Sequence, residues 1–239
     1  MKDVGDNHME RITQRSYDLP VAVESYTHDQ LAPLEEYVIA RELPPGGRLL
    51  ELGCGAGRLT GRLRQPGREL VACDIAPNML ARARARFPDV HFECCDAAQL
   101  PFADAEFDAV FFGFNGLDCL LPFARREQCL REMRRALKPG GTLLFSSHNK
   151  WWPGAYLPTN RFRAGTLRDN LLRGFLWRDF RYERHAGGQE FYFAVIAPPR
   201  QLRDLRRLGF AGARLIDPFC PRGLRYIWSR HPYYRAVKA

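Results

Sequence analysis

The sequence has no uninterrupted apolar stretch near the roughly 18 residues that a membrane-spanning helix requires. Its opening, MKDVGDNHME, carries charges where a secretory signal needs an apolar centre, so a cytoplasmic chain is the expectation. A Cys-x-x-Cys pair is also lacking. The seven cysteines, Cys54, Cys73, Cys94, Cys95, Cys119, Cys129 and Cys220, are scattered and odd in number. That is a pattern of reduced packing thiols rather than of a zinc centre or a disulfide framework, and no structural metal is expected. Lysine is scarce: Lys2, Lys138, Lys150 and Lys238 leave 32 of the 36 basic residues to arginine. The acidic residues that would balance a formal charge of +9 are short in one region. Residues 151–239 hold 17 basic and 6 acidic residues, net +11, against 19 and 21, net −2, in the first 150.

What is present is 239 residues, 46% of them hydrophobic and 26% charged, enough for one globular domain with a sizeable core. Residues 8–43 read as helical, with Leu31, Leu34, Val38 and Ile39 near helical spacing and a stop at Leu43-Pro44-Pro45-Gly46-Gly47. Arg48–Leu52 is a short strand running into Gly53-Cys54-Gly55-Ala56-Gly57, and a helix through Leu59 and Leu63 follows. Glu69–Asp74, His91–Asp96, Phe107–Phe112 and Thr142–Ser146 read as further strands, with helices at Pro77–Phe87 and Arg125–Leu137 between them. Strands alternating with helices at this spacing predict a mostly parallel sheet covered on both faces. Beyond residue 150 the rhythm breaks. An aromatic and arginine-rich insertion, 151–190, carries an amphipathic helix from about Thr166 to Arg184, and the chain closes with a strand over Phe191–Ile196, a helix over Gln201–Leu208, a strand over Ala213–Ile216 and a segment from Tyr233 to Val237.

A strand leading into Gly-x-Gly-x-Gly and a helix presents backbone N–H groups to a ligand at the carboxyl edge of a sheet. The dinucleotide fingerprint needs a further glycine where Arg58 stands, and a Walker loop is absent. The run Leu50-Glu51-Leu52-Gly53-Cys54-Gly55-Ala56-Gly57, with Cys73-Asp74 closing the next strand and Cys95-Asp96-Ala97 the third, resembles the class I S-adenosylmethionine-dependent methyltransferases. The resemblance is close over about 46–147 and looser in the tail, where Tyr192, Phe193, Pro199 and Leu208-Gly209-Phe210 are similar to the family's closing unit. It implies a Rossmann-like seven-stranded α/β domain with a helical lid (1–45), a cofactor-binding core (46–150), an insertion capping the acceptor (151–190) and a closing strand-helix-strand unit (191–239).

The resemblance further implies a cofactor site for S-adenosylmethionine, with S-adenosylhomocysteine as product. Glu51, Gly53, Cys54, Gly55 and Gly57 would form the loop beside the methionine part, Asp74 would accept the ribose hydroxyls, Ile75 and Met79 would flank the adenine, and Asp96 and Ala97 would meet its amino group. Phe112 and Asn115 border cofactor and acceptor, and Tyr26 belongs to the lid, as does the pair Tyr17-Asp18. His148, directly after the fifth strand, is the candidate base for a hydroxyl acceptor, imidazole being the usual side chain for that task near neutral pH; His28 and Tyr26 stand behind it. Asn115, Asn149, Trp152 and Arg161 are the candidate acceptor contacts.

The reading is therefore a methyltransferase for a small molecule, O-directed and anionic or linked to a lipid or saccharide. A nucleic-acid methyltransferase would account for the basic tail, but the fourth strand ends Gly113-Phe114-Asn115-Gly116 and not in the Asn/Asp-Pro-Pro-Tyr/Phe run that holds a flipped base, so no nucleic-acid partner is expected. A protein that uses the cofactor's own aminobutyrate moiety is the other alternative. Residues 166–184 could rest on an anionic membrane surface or serve as a dimer contact, and monomer and homodimer both stay open.

Overall fold

A computed structural model describes residues 11–152, 180–184 and 190–239. Residues 11–17 are helical (α1), followed by α2 (Pro20–Tyr26) and α3 (Pro33–Arg41). The single helical stretch expected over 8–43 is thus three short helices. Pro20 and Pro33 each occupy the first turn of a helix, where a missing N–H costs nothing, but neither can continue a helix from its N-terminal side.

The core alternates as the sequence predicts: β1 (Gly47–Leu52), α4 (Thr60–Leu63), β2 (Arg68–Asp74), α5 (Pro77–Arg86), β3 (His91–Cys94), β4 (Phe107–Phe112), α6 (Phe123–Ala136) and β5 (Leu137–Ser146). Lys138-Pro139-Gly140-Gly141, expected to separate helix from strand, is instead taken into β5, where the register against β4 shifts between Phe107 and Ala109. After the insertion come β6 (Phe180–Arg184), β7 (Glu190–Ala194), α7 (Pro198–Arg207), β8 (Phe210–Ile216), α8 (Arg225–Trp228) and β9 (Tyr233–Lys238).

Seven strands form one sheet in the order β3-β2-β1-β4-β5-β9-β8, and β9 alone runs antiparallel to its neighbours. Alternate side chains along each strand feed two cores. Leu50, Leu52, Phe112 and Phe145 pack under α6 and α7 on one face, while Leu49, Phe111 and Leu144 pack under α3 on the other. Two expectations fail in the insertion. Residues 180–184, expected to end an amphipathic helix, are a strand, and the strand around Phe191 pairs with it in a separate two-stranded ribbon instead of joining the sheet. The alternation Phe191, Phe193 with Tyr192 between them is strand periodicity. Thr166–179 and Arg161 lie outside the described residues.

The chain order reverses at β1, with β2 and β3 to one side and β4 and β5 to the other. The carboxyl ends of β1 and β4 therefore border a crevice, the place where open α/β sheets bind ligands.

Candidate active site

At that crevice lies a cavity walled by the β1–α4 loop (Gly53, Cys54, Gly55, Ala56, Arg58), the end of β2 (Asp74, Ile75, with Met79 on α5), the turn after β3 (Cys95, Asp96, Ala97) and the end of β4 (Phe112, Gly113, Phe114). Thr13, Gln14, Tyr17 and Tyr26 of the N-terminal helices cover it. These helices are tied down. Asp18 Oδ1 accepts the Asn78 N–H at 2.8 Å, the Arg58 guanidinium donates to the Gln30 carbonyl at 3.0 Å, and Arg86 pairs with Asp29. On the other side, the β7 amides of Glu190 and Tyr192 donate to Ser16 Oγ and Thr13 Oγ1, which docks the ribbon on α1.

Asp74 anchors the floor. Its Oδ2 accepts the Gly55 N–H at 2.8 Å and its Oδ1 the Ala76 N–H at 2.9 Å, so the acid shapes the glycine loop it faces. Burial pushes its pKa up and the backbone N–H donors hold it back. Each oxygen keeps a further lone pair for a ligand. Gly55 sits at φ +54°, and a Cβ built there meets only Met79 Sδ, at 3.9 Å, so a side chain would enter open cavity. Gly57 is different. At φ +84° its Cβ would strike Phe87 Cε2 at 2.8 Å, and the residue is not part of the cavity wall. Its glycine serves packing rather than the ligand contact expected of it. Gly57→Ala should lower stability by about 1–3 kcal/mol in urea unfolding, through left-handed strain and overpacking together.

Glu51 also stands behind the wall. It is 1% exposed, accepts the Thr60 hydroxyl at 2.7 Å on Oε2, and has no partner on Oε1 among the described residues. The thiols are held as neutral packing groups: burial pushes Cys119 up to about 12 and Cys54 well above its ordinary value. Asp96, half-exposed, accepts the Ala98 N–H and pairs with Arg125.

Of the remaining expected residues, Tyr26, Ile75, Met79, Ala97 and Phe112 are in the wall and Asn115 is not; it faces a second cavity. Asn149 is corrected outright. It is 1% exposed, donates from Nδ2 to the Tyr226 and Ser229 carbonyls and accepts the Trp151 N–H on Oδ1, which uses its amide to hold the 226–229 turn. Trp152 lies under the Arg230 guanidinium and reaches neither cavity. His148 walls neither cavity; Asp118, fully buried, accepts both its backbone N–H (2.6 Å) and its Nδ1 (2.9 Å). The same carboxylate takes the Ser147 hydroxyl at 2.8 Å and faces Arg126.

Arg58 escaped the sequence reading, and Phe114 entered it only as part of the run that ends the fourth strand. Arg58 forms a buried ion pair with Glu35 and its guanidinium lies 4.3 Å from the centre of the Phe114 ring. The one available signal was negative, an arginine where another motif would have had glycine.

Comparison with known proteins agrees with this geometry. Residues 49–141 match the family model of the methyltransferase domain. Together with the strand order and the glycine loop, this match supports a class I S-adenosylmethionine-dependent methyltransferase domain over those residues. The demethylmenaquinone methyltransferase of Beutenbergia cavernae is 37% identical over 155 residues, 61% of each chain. The match thus leaves more than a third of that relative's length uncovered. The structure of the CcbJ methyltransferase from Streptomyces caelestis superposes with TM-score 0.67 at 18% identity, over 95% of this chain and 99% of that one. A Burkholderia thailandensis 1,6-didemethyltoxoflavin-N1-methyltransferase, solved with 1,6-didemethyltoxoflavin and S-adenosylhomocysteine, gives 0.63 at 16% identity, over 98% and 90%.

Proposed function

We propose that the protein transfers a methyl group from S-adenosylmethionine to the oxygen of a small molecule, one that is anionic or linked to a lipid or saccharide. One observation carries the reading: a single crevice gathers a half-buried acid on an open glycine loop, apolar side chains beside it and an aromatic rim. Asp74 suits a vicinal diol, Ile75 and Met79 suit a purine face, and Tyr17, Tyr26, Phe112 and Phe114 suit a positive sulfur, whose charge is attracted to ring faces. The donor, when bound, supplies a methyl carbon whose bonding pair to sulfur returns to sulfur as the acceptor's lone pair bonds to that carbon. The protein aligns the two molecules, excludes water beneath the N-terminal helices and removes the acceptor's proton.

His148 is the base in this reading. Asp118 holds Nδ1 as the protonated nitrogen, which leaves Nε2 as the acceptor, the arrangement by which a carboxylate fixes an imidazole tautomer. Calorimetry should show S-adenosylhomocysteine binding to the wild-type chain, and absence of heat at high micromolar protein would sink the proposal. Once an acceptor is turned over, His148→Ala should lower turnover about 10²–10⁴-fold with cofactor affinity unchanged. Full turnover in that variant would remove His148 as the base.

A further inference from the structure

Next to the crevice is a second cavity of about 470 Å³, within the range that holds small-molecule ligands. Arg58 and Phe114 wall both cavities, so the two adjoin at these side chains. The position of Phe114 is enforced. Phe114 and Asn115 are left-handed at φ +50° and +59°, and the Asn115 N–H is held by Ser146 Oγ at 2.7 Å. The Phe114 ring, half-exposed, leans on the Arg58 guanidinium and stands edge-on to Tyr26 at 5.8 Å.

The second cavity contains an unanswered acceptor. Asn115 is 7% exposed, lines the cavity, and its Oδ1 is buried with no hydrogen-bond partner among the described residues. A buried carbonyl oxygen left in this way is destabilising, and a ligand donor would relieve it. Arg230, on the same wall, has no carboxylate partner among the described residues, whereas Arg58 is neutralised by Glu35. The cavity's second acid, Asp217, accepts the Ser229 hydroxyl and the Phe219 N–H. His231 completes the wall, and its ring stands edge-on to His148 at 4.9 Å.

We infer that this second cavity is the acceptor chamber, and that it takes a small molecule presenting an O–H or N–H to Asn115 Oδ1 and a negative end toward Arg230. The inference rests on the methyltransferase reading. It also gives His148 a route to the acceptor it otherwise lacks, because His231 lies between the chamber and the His148–Asp118 pair. Asn115 is then a specificity residue, Phe114 the side chain beside which donor and acceptor meet, and His231 the histidine that touches the acceptor.

The probe is 4-hydroxybenzoate, which has one hydroxyl and one carboxylate, with 4-methoxybenzoate as the same molecule without the donor. Titrated into the full chain, the hydroxyl compound should bind at least about tenfold more tightly than its ether. Its affinity should change less than about twofold when S-adenosylhomocysteine is saturating. Asn115→Gly, which removes the amide while accepting the left-handed backbone, should erase the preference. Equal affinities for the two probes in the wild type, no saturable binding, or competition with S-adenosylhomocysteine overturns the chamber. Should S-adenosylhomocysteine itself fail to bind, the methyltransferase reading falls, and the two-probe comparison still decides whether the cavity selects a donor.

Discussion

Asp74→Ala is expected to weaken S-adenosylhomocysteine binding by about a hundredfold or more, to the edge of what calorimetry detects. Two losses combine. The ligand's two hydroxyls lose a charged acceptor, and hydrogen bonds to charged groups are worth roughly 1.5–3 kcal/mol each. The Gly55 and Ala76 amides also lose the oxygens that fix the loop, so the cradle is no longer preorganised. Asp74→Asn separates the two. Its carbonyl oxygen can keep one backbone amide while the charge is gone, so its affinity should fall between those of wild type and Asp74→Ala. Unchanged affinity in Asp74→Ala, with an unfolding midpoint showing the fold intact, would mean the cavity has been assigned to the wrong ligand.

The strand ends that build this cavity were legible because each is written locally. Leu50-Glu51-Leu52-Gly53, Val71-Ala72-Cys73-Asp74 and Phe92-Glu93-Cys94-Cys95-Asp96 each bring an apolar strand to a turn residue or acid, and a parallel sheet sets those ends on one edge. The second cavity was not legible, for a physical reason. Its walls come from His28, Arg58, Asn115, Ser146 and His231, which share no periodicity, and only the packing of α3 on the sheet face that β9 helps to build brings them together. Asn149 misled the sequence reading because a polar residue after a strand suggests a ligand contact, while buried carbonyls at a turn compete for the same amide. The N-terminal region was legible as helical since Leu34, Val38 and Ile39 keep helical spacing on α3, but spacing does not register the break before Pro33.

Glu51→Gln should abolish a pH dependence of stability that the wild type carries at this one side chain. Burial holds the Glu51 carboxyl up to about 8, against the pull of the Thr60 hydroxyl and Arg58 toward ionisation and with a push from the Asp74 charge. In the unfolded chain the same group titrates near 4.3. Between those values the folded protein retains a proton that the unfolded chain has released, so stability falls as pH rises, by up to about 1.4 kcal/mol per pH unit. Above about 8 both forms are ionised and the slope ends. Over pH 5.5–8.5 this site should therefore remove a few kcal/mol from the wild type. The glutamine is neutral at every pH and its carbonyl can still accept the Thr60 hydroxyl, so Glu51→Gln should match the wild type near pH 5.5 and exceed it at pH 8.5. Urea unfolding of both proteins across that range isolates the site, since other titrations cancel in the difference. A flat difference would show that Glu51 is already ionised in the folded protein. Its unpartnered Oε1 would then need a cation or a donor, because a buried carboxylate without one is far more costly than the neutral acid.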